Sequence, residues 1–182
     1  MTSSAPETAP VVETERLILR PMAPGDLDDA FAMWSDPAVY RHIGGQPRSR
    51  EEVWRRILGN AGSWALLGVG SWIVERRSDG AYLGQIGFIE AMREMSPAFA
   101  PGELELGWAF SPKAQGVGYA AEALAACIAW AERERPGRTM VCIIDPENAP
   151  SIRLAQRHGF QERCATTYHG APTIQFERRA DN

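Results

Sequence analysis

The spacing of apolar residues changes several times between Glu13 and Arg178, and each change predicts an element. Leu17-Ile18-Leu19, closed by Arg20-Pro21, is a short apolar run that predicts a first strand. Leu27, Ala30, Phe31 and Trp34 recur at helical spacing and predict a helix from Asp26 to Ser35. Ser49-Arg50-Glu51-Glu52 fits a capping box and predicts a second helix to about Leu58. Trp72–Arg76 and Tyr82–Glu90 predict two strands around a turn at Ser78-Asp79-Gly80. Met92 to Gly102 predicts a loop, and Glu103 to Phe110 a fourth strand. Leu124, Cys127, Ile128 and Ala131 are the inward stripe of a long helix, about Tyr119 to Arg135, that Pro136-Gly137 stops.

Thr139 to Ile144 then predicts a central strand. Asn148 caps a short helix with Pro150 in its first turn and Gly159 at its end. Phe160–Thr167 and Thr173–Arg178 predict two last strands. Met1 to Val12, rich in Ser, Thr, Ala and Pro, is expected to be a flexible tail before one domain over residues 13–182. This order of elements predicts an α/β or α+β domain on a mixed sheet.

A chain of 182 residues, 45% hydrophobic, suffices for one well-packed domain and not for two sizeable ones. Its net charge of −4 does not suggest a sequence-independent grip on nucleic acid. No apolar run approaches the roughly 20 residues that span a bilayer, and no secretion signal opens the chain. Cys127, Cys142 and Cys164 are scattered and odd in number, which fits small buried side chains in a reducing compartment and neither a disulfide frame nor a metal site. A cytoplasmic protein is the expectation.

The segment from Gln115 to Leu124 carries the most chemistry. A strand leads through Ser111-Pro112 into Gly116 and Gly118 and directly into a helix. Glycines there allow a tight turn with bare N–H groups, and a helix N-terminus adds further N–H groups and partial positive charge. Such a pocket suits phosphate oxygens. Gly116-x-Gly118-x-x-Ala121 also fits a dinucleotide fingerprint, with Asp145 roughly where a ribose-binding acid would stand. That alternative expects the motif after the first strand of a doubly wound sheet, whereas about 100 residues precede it here. A plain strand-to-helix connection is the third account.

Four segments in order resemble the GNAT superfamily of acetyl-coenzyme A-dependent N-acetyltransferases, and most nearly its ribosomal-protein-alanine N-acetyltransferase-like branch. They are Thr14-Glu15-Arg16-Leu17-Ile18-Leu19-Arg20; Glu105-Leu106-Gly107-Trp108 with Pro112 and Gly116 to Ala123; Asn148 with Ser151; and His158-Gly159-Phe160. One departure is Lys113, at a position where the superfamily pattern has Gln or Arg. The resemblance implies a mostly antiparallel mixed sheet of about seven strands with about four helices. It implies acetyl-coenzyme A as cosubstrate, an amine acceptor and no metal, nucleic acid or membrane partner. The oligomeric state, monomer or homodimer, stays open.

The resemblance also assigns residues. The N–H groups of Gln115, Gly116, Val117, Gly118, Tyr119 and Ala120 would hold the coenzyme pyrophosphate, with Lys113 nearby. The backbone of Trp108, Ala109 and Phe110 would pair with the pantetheine arm. Asn148, Ser151 and Arg153 would also meet the coenzyme. Tyr40, Arg41 and His42 would border the acceptor groove. Glu103, Glu105 and Gly107 share one face of their strand, which is either a solvated face or the site of a general base. Glu105 stands where the family places an acid beside the amine, and Glu103 is the second candidate. Ser151 is the first candidate to protonate the departing thiolate, and Tyr168 a weaker one.

Overall fold

The computed structural model describes residues 8–180. The expected tail falls in part on residues 1–7, which lie outside the described residues. Eight strands form one sheet: β1 (Val12–Glu13), β2 (Leu17–Arg20), β3 (Ser71–Arg76), β4 (Tyr82–Ile89), β5 (Leu104–Phe110), β6 (Met140–Ile144), β7 (Gln161–Tyr168) and β8 (Ala171–Arg178). Five α-helices accompany them: α1 (Leu27–Trp34), the single turn α2 (Pro37–Tyr40), α3 (Arg50–Leu67), α4 (Tyr119–Glu134) and α5 (Ala149–Arg157). The strand order is β1-β2-β3-β4-β5-β6-β8-β7. Every pairing is antiparallel except β5 with β6. The mixed, mostly antiparallel architecture is the one the resemblance implied, with one more strand and one more helical turn.

Residues 9–12 depart from the expected tail. Ala9 is buried in the core, the Pro10 carbonyl accepts a 2.7 Å hydrogen bond from the Trp72 indole, and Val12 pairs with Leu19. A buried indole N–H needs an acceptor, and this backbone supplies it. The second departure is α3, which runs on past Leu58 to Leu67. Gly59, Asn60 and Gly62 are weak helix formers, so local propensity suggests a stop. Tertiary contacts override it. Asn60 bonds both the carbonyl and the amide of Ser71, and Trp64 is buried against Trp72 and Trp130 with centroids 4.8 and 5.6 Å away. Edge-on aromatic pairs of this kind contribute about 0.5–1.5 kcal/mol each beyond burial.

The sheet separates two apolar clusters. The larger holds the inner face of α4, the Trp64–Trp72–Trp130–Phe88 group and Ala155 of α5. The smaller packs α1, α2 and the first half of α3 against Ala109 of β5, with Tyr82 of β4 at its edge. Helix α3 thus starts in one cluster and ends in the other, which is why it is long.

The functional consequence lies between β5 and β6. Only Leu104↔Met140 and Glu105↔Val141 are paired; both strands continue beyond that point without a partner in each other. Gly107 to Phe110 therefore present one backbone edge to a gap whose far side is the end of β6 and the start of α5.

Candidate active site

The glycine turn has the geometry of an anion cradle. Gly116 and Gly118 adopt φ of 78° and 84°, a left-handed conformation that costs an L-residue about 1–2 kcal/mol. No acceptor for the Gly116, Val117 or Gly118 amides is found among the described residues, and Tyr119, Ala120 and Ala121 occupy the first turn of α4, where N–H groups lack an intrahelical partner. One expected donor drops out: the Gln115 amide is already bonded to the Pro112 carbonyl at 3.2 Å. Lys113 is exposed on the one-turn 3-10 helix just before the cradle.

Residues from the opening segment fix this turn. Thr14 Oγ1 and the Arg16 amide donate to Glu122 Oε1 at 2.6 and 2.9 Å, and Arg16 Nε donates to Oε2 at 2.6 Å. Arg16 also reaches the Val117 carbonyl at 2.9 Å and lies over the Tyr119 ring. Burial works to raise the Glu122 carboxyl, but the hydrogen bonds from Thr14 and Arg16 outweigh it and hold the group below the ordinary carboxylate range. An anion there also suits the first turn of α4. Two of the sequence segments that carry the family resemblance are thereby in contact, across about 100 residues of chain.

Glu105 is buried, not solvated. Arg93 Nε lies 2.8 Å from each of its oxygens and a terminal nitrogen lies 2.5 Å from Oε1. The pair is nearly dry, with side-chain exposures of 15% for Arg93 and 6% for Glu105. Burial pushes the Glu105 carboxyl up from the ordinary range, and the Arg93 guanidinium opposes it without cancelling it. Arg93 itself stays charged: burial works against its charge, and Glu105 more than compensates. It also lies over the Tyr168 ring at 4.7 Å. A carboxylate offers about four lone-pair sites, and these contacts leave room on Oε2. Arg93 was not among the residues the sequence singled out, because it sits in an aperiodic loop with no motif.

Glu103, the second candidate base, is also ion-paired. Both its oxygens meet Arg163 at 2.9 Å, and Oε2 also accepts from the Ala100 amide at 2.7 Å. These contacts tie the β4–β5 loop to β7.

Across the gap from β5, the Trp108 indole donates to Ser151 Oγ at 3.3 Å, which leaves the serine proton free to be given elsewhere. Asn148 Oδ1 accepts from the Ser151 amide at 3.2 Å, an ordinary cap, and its side-chain NH2 remains. Arg153 is exposed one turn along α5. Ala109 faces the small cluster, and Phe110 the large one. Of the acceptor-side residues, Tyr40 is half-buried in α2 and Arg41 is exposed. His42 Nδ1 lies 2.8 Å from Asp145 Oδ2, joining the segment after α2 to the end of β6. Burial works to raise Asp145, but His42 and the Glu147 amide hold it below the ordinary range. An Asp145 so engaged, in a mostly antiparallel sheet, does not fit the dinucleotide alternative. Burial pushes the Cys127 and Cys142 thiols far above their usual value, so neither is a nucleophile.

A strand-edge gap, a glycine cradle at a helix N-terminus and a buried acid on the same strand define an acyltransferase site. The Acetyltransferase (GNAT) domain family matches residues 16–161, and the chain belongs to that family. It is 30% identical to YkkB, an uncharacterised protein of Bacillus subtilis (strain 168), over 93% of this chain and 95% of that one. A putative GnaT-family acetyltransferase from Bordetella pertussis is 30% identical with a TM-score of 0.78, covering 93% of this chain and 99% of its own. An acetyltransferase from Agrobacterium tumefaciens str. C58 is 27% identical, also at 0.78, covering 94% and 95%. The protein is a GNAT N-acetyltransferase, an enzyme of acetyl-coenzyme A-dependent acyl transfer. Among the described residues no helix is long and apolar enough to cross a membrane.

Proposed function

We propose that this enzyme moves an acetyl group from acetyl-coenzyme A to a primary amine by direct transfer, with both substrates bound together. The observations that carry this reading are an oriented buried carboxylate at Glu105, where β5 and β6 last pair, and a serine hydroxyl with an unspent proton beside Trp108, where they have parted. The Gly116 to Ala120 amides would receive the pyrophosphate, and the free edge of Trp108 to Phe110 the pantetheine arm. Acetyl-coenzyme A supplies an acyl carbon activated by its thioester. Glu105 takes the amine proton, directly or through a water, more readily because burial raises its affinity for protons. A backbone N–H of β5 faces the carbonyl oxygen as charge develops there. Ser151 gives its proton to sulfur. The N–C bond forms, the C–S bond breaks, and no protein nucleophile is required.

Two measurements test this. Isothermal titration with acetyl-coenzyme A and with NAD should show binding of the thioester alone. Thiol release should then exceed background with at least one amine in a panel that includes peptides beginning with Ala or Ser, and Glu105→Gln should lower kcat by about 100-fold or more with the thioester Kd nearly unchanged. Binding without any turnover would reassign the protein as an acyl-coenzyme A sensor.

A further inference from the structure

Beyond Glu105↔Val141, β5 and β6 share no backbone pairing. Side chains bridge the gap there instead, and both bridges land on the corner that joins β6 to α5. The Trp108 indole of β5 reaches Ser151 Oγ at 3.3 Å. His42 Nδ1 reaches Asp145 Oδ2 at 2.8 Å, across 103 residues of chain. The corner is also tied internally. The Glu147 amide donates to Asp145 Oδ1 at 2.8 Å, the Asn148 amide to the Asp145 carbonyl at 2.9 Å, and the Ser151 amide to Asn148 Oδ1 at 3.2 Å. Asp145 is thereby linked through Asn148 to the proposed proton donor.

His42 comes from the other side of the gap. Val39 and Ile43, which flank it in sequence, pack in the small cluster with Ala109 of β5. The turn that carries it is fixed by the amides of Ile43 and Gly45, which both donate to the Tyr40 carbonyl at 2.9 Å. Among the described residues no other hydrogen bond or ion pair joins residues 27–67 to the chain from Leu104 onward. The remaining ion pairs of that stretch are local: Arg50 with Asp28, Arg48 with Glu52 and Arg55 with Glu51. Exposed local pairs contribute little. His42 and Asp145 are more sheltered, with side-chain exposures of 17% and 27%. An ionised Asp145 can only accept, so His42 Nδ1 carries the shared proton, and the bond fixes the imidazole ring.

We infer that His42 is a positioning residue: through Asp145 it holds the β6–α5 corner, and with it the Ser151 hydroxyl, in place against β5. This rests on the reading of Ser151 as the proton donor and adds what aims it. A misplacement of about 1 Å at a reacting group can cost about 10²-fold in rate. The corner keeps its own hydrogen bonds without His42, so the expected loss is smaller, about tenfold.

The test is a double-mutant cycle on kcat. His42→Ala should lower kcat by about tenfold and leave the acetyl-coenzyme A Kd within about threefold. Asparagine can offer an N–H near the Nδ1 position, so His42→Asn should regain most of the loss. In the Ser151→Ala background, His42→Ala should cost less than about threefold, because the group it aims is gone. A role in stability alone would lower kcat by the same factor in both backgrounds. The second readout needs no turnover. Amide hydrogen exchange at Glu147, Asn148, Ser151 and Ile152 should quicken by about threefold or more in His42→Ala, with α4 unchanged and His42→Asn close to wild type. Should His42→Ala not fold, His42→Leu, which keeps the bulk and lacks the donor, takes its place in both readouts. If Ser151→Ala alone leaves kcat unchanged, the proton-donor reading fails, and exchange at the corner then decides the bridge by itself. Equal kcat losses in the two backgrounds while Ser151 acts as donor, or corner exchange unchanged in the folded variant, would overturn the inference.

Discussion

Replacing Arg93 by Gln isolates the one interaction that tunes the proposed base. In the wild-type enzyme, burial raises the Glu105 carboxyl and Arg93 lowers it, so its ionisation lies above the ordinary value of about 4.3 by less than burial alone would give. Arginine beside an acid typically lowers the acid by about 1–3 units, and the contacts at 2.5–2.8 Å place this pair among the closer ones. A base must be ionised, so kcat/KM falls as pH falls through its pKa. Removing the guanidinium leaves burial unopposed and should move the acidic limb of the kcat/KM profile to higher pH by about 1–3 units. The plateau above both limbs should drop less than the value at neutral pH. Taking one partner from a buried pair also costs about 3–5 kcal/mol of stability, so urea denaturation sets the temperature at which the variant is assayed. Arg93→Lys keeps the charge but loses the two-point geometry and should shift the limb by a smaller amount in the same direction. An acidic limb that stays in place in folded Arg93→Gln would refute the assignment of Glu105 as the titrating base.

Two further outcomes concern the coenzyme side. Ser151→Ala should lower kcat by about 10²-fold or more while leaving the acetyl-coenzyme A Kd within about threefold, read by pre-steady-state thiol release; an unchanged kcat would remove the serine as proton donor. Gly118→Ala places a Cβ at φ 84° and 3.3 Å from an Arg16 nitrogen, so the cradle must distort. Titration calorimetry should show acetyl-coenzyme A binding weakened by about tenfold, the equivalent of 1–2 kcal/mol, and wild-type affinity would mean the amides of this turn do not hold the cosubstrate.

Local pattern carried most of the architecture. The apolar stripe of α4, the cap at Asn148 and the strand runs at Tyr82 and Met140 are statements about neighbours in sequence, which period and capping residues record directly. The Gly116–Gly118 turn was legible for the same reason, since left-handed backbone and a following helix are both local. What pattern missed was non-local. Propensity ended α3 at its glycines, while Trp64 and Asn60 carried it on to Leu67 by reaching β3. The segment at residues 9–12 looked featureless until Trp72 needed an acceptor.

The same division runs through the site. The likeness of four short segments, in order, to the GNAT superfamily was legible in the sequence, because each is a short segment whose chemistry its own residues express, and the family match over residues 16–161 bears it out. Only the folded arrangement decided what surrounds each acid. Glu103 and Glu105 stand two residues apart on one face, yet Arg163 claims the first and Arg93 tunes the second. Those arginines come from a distant strand and an aperiodic loop. Ionic and hydrogen-bonding partners are chosen by distance in space, and distance in space is set by the packing of the whole sheet.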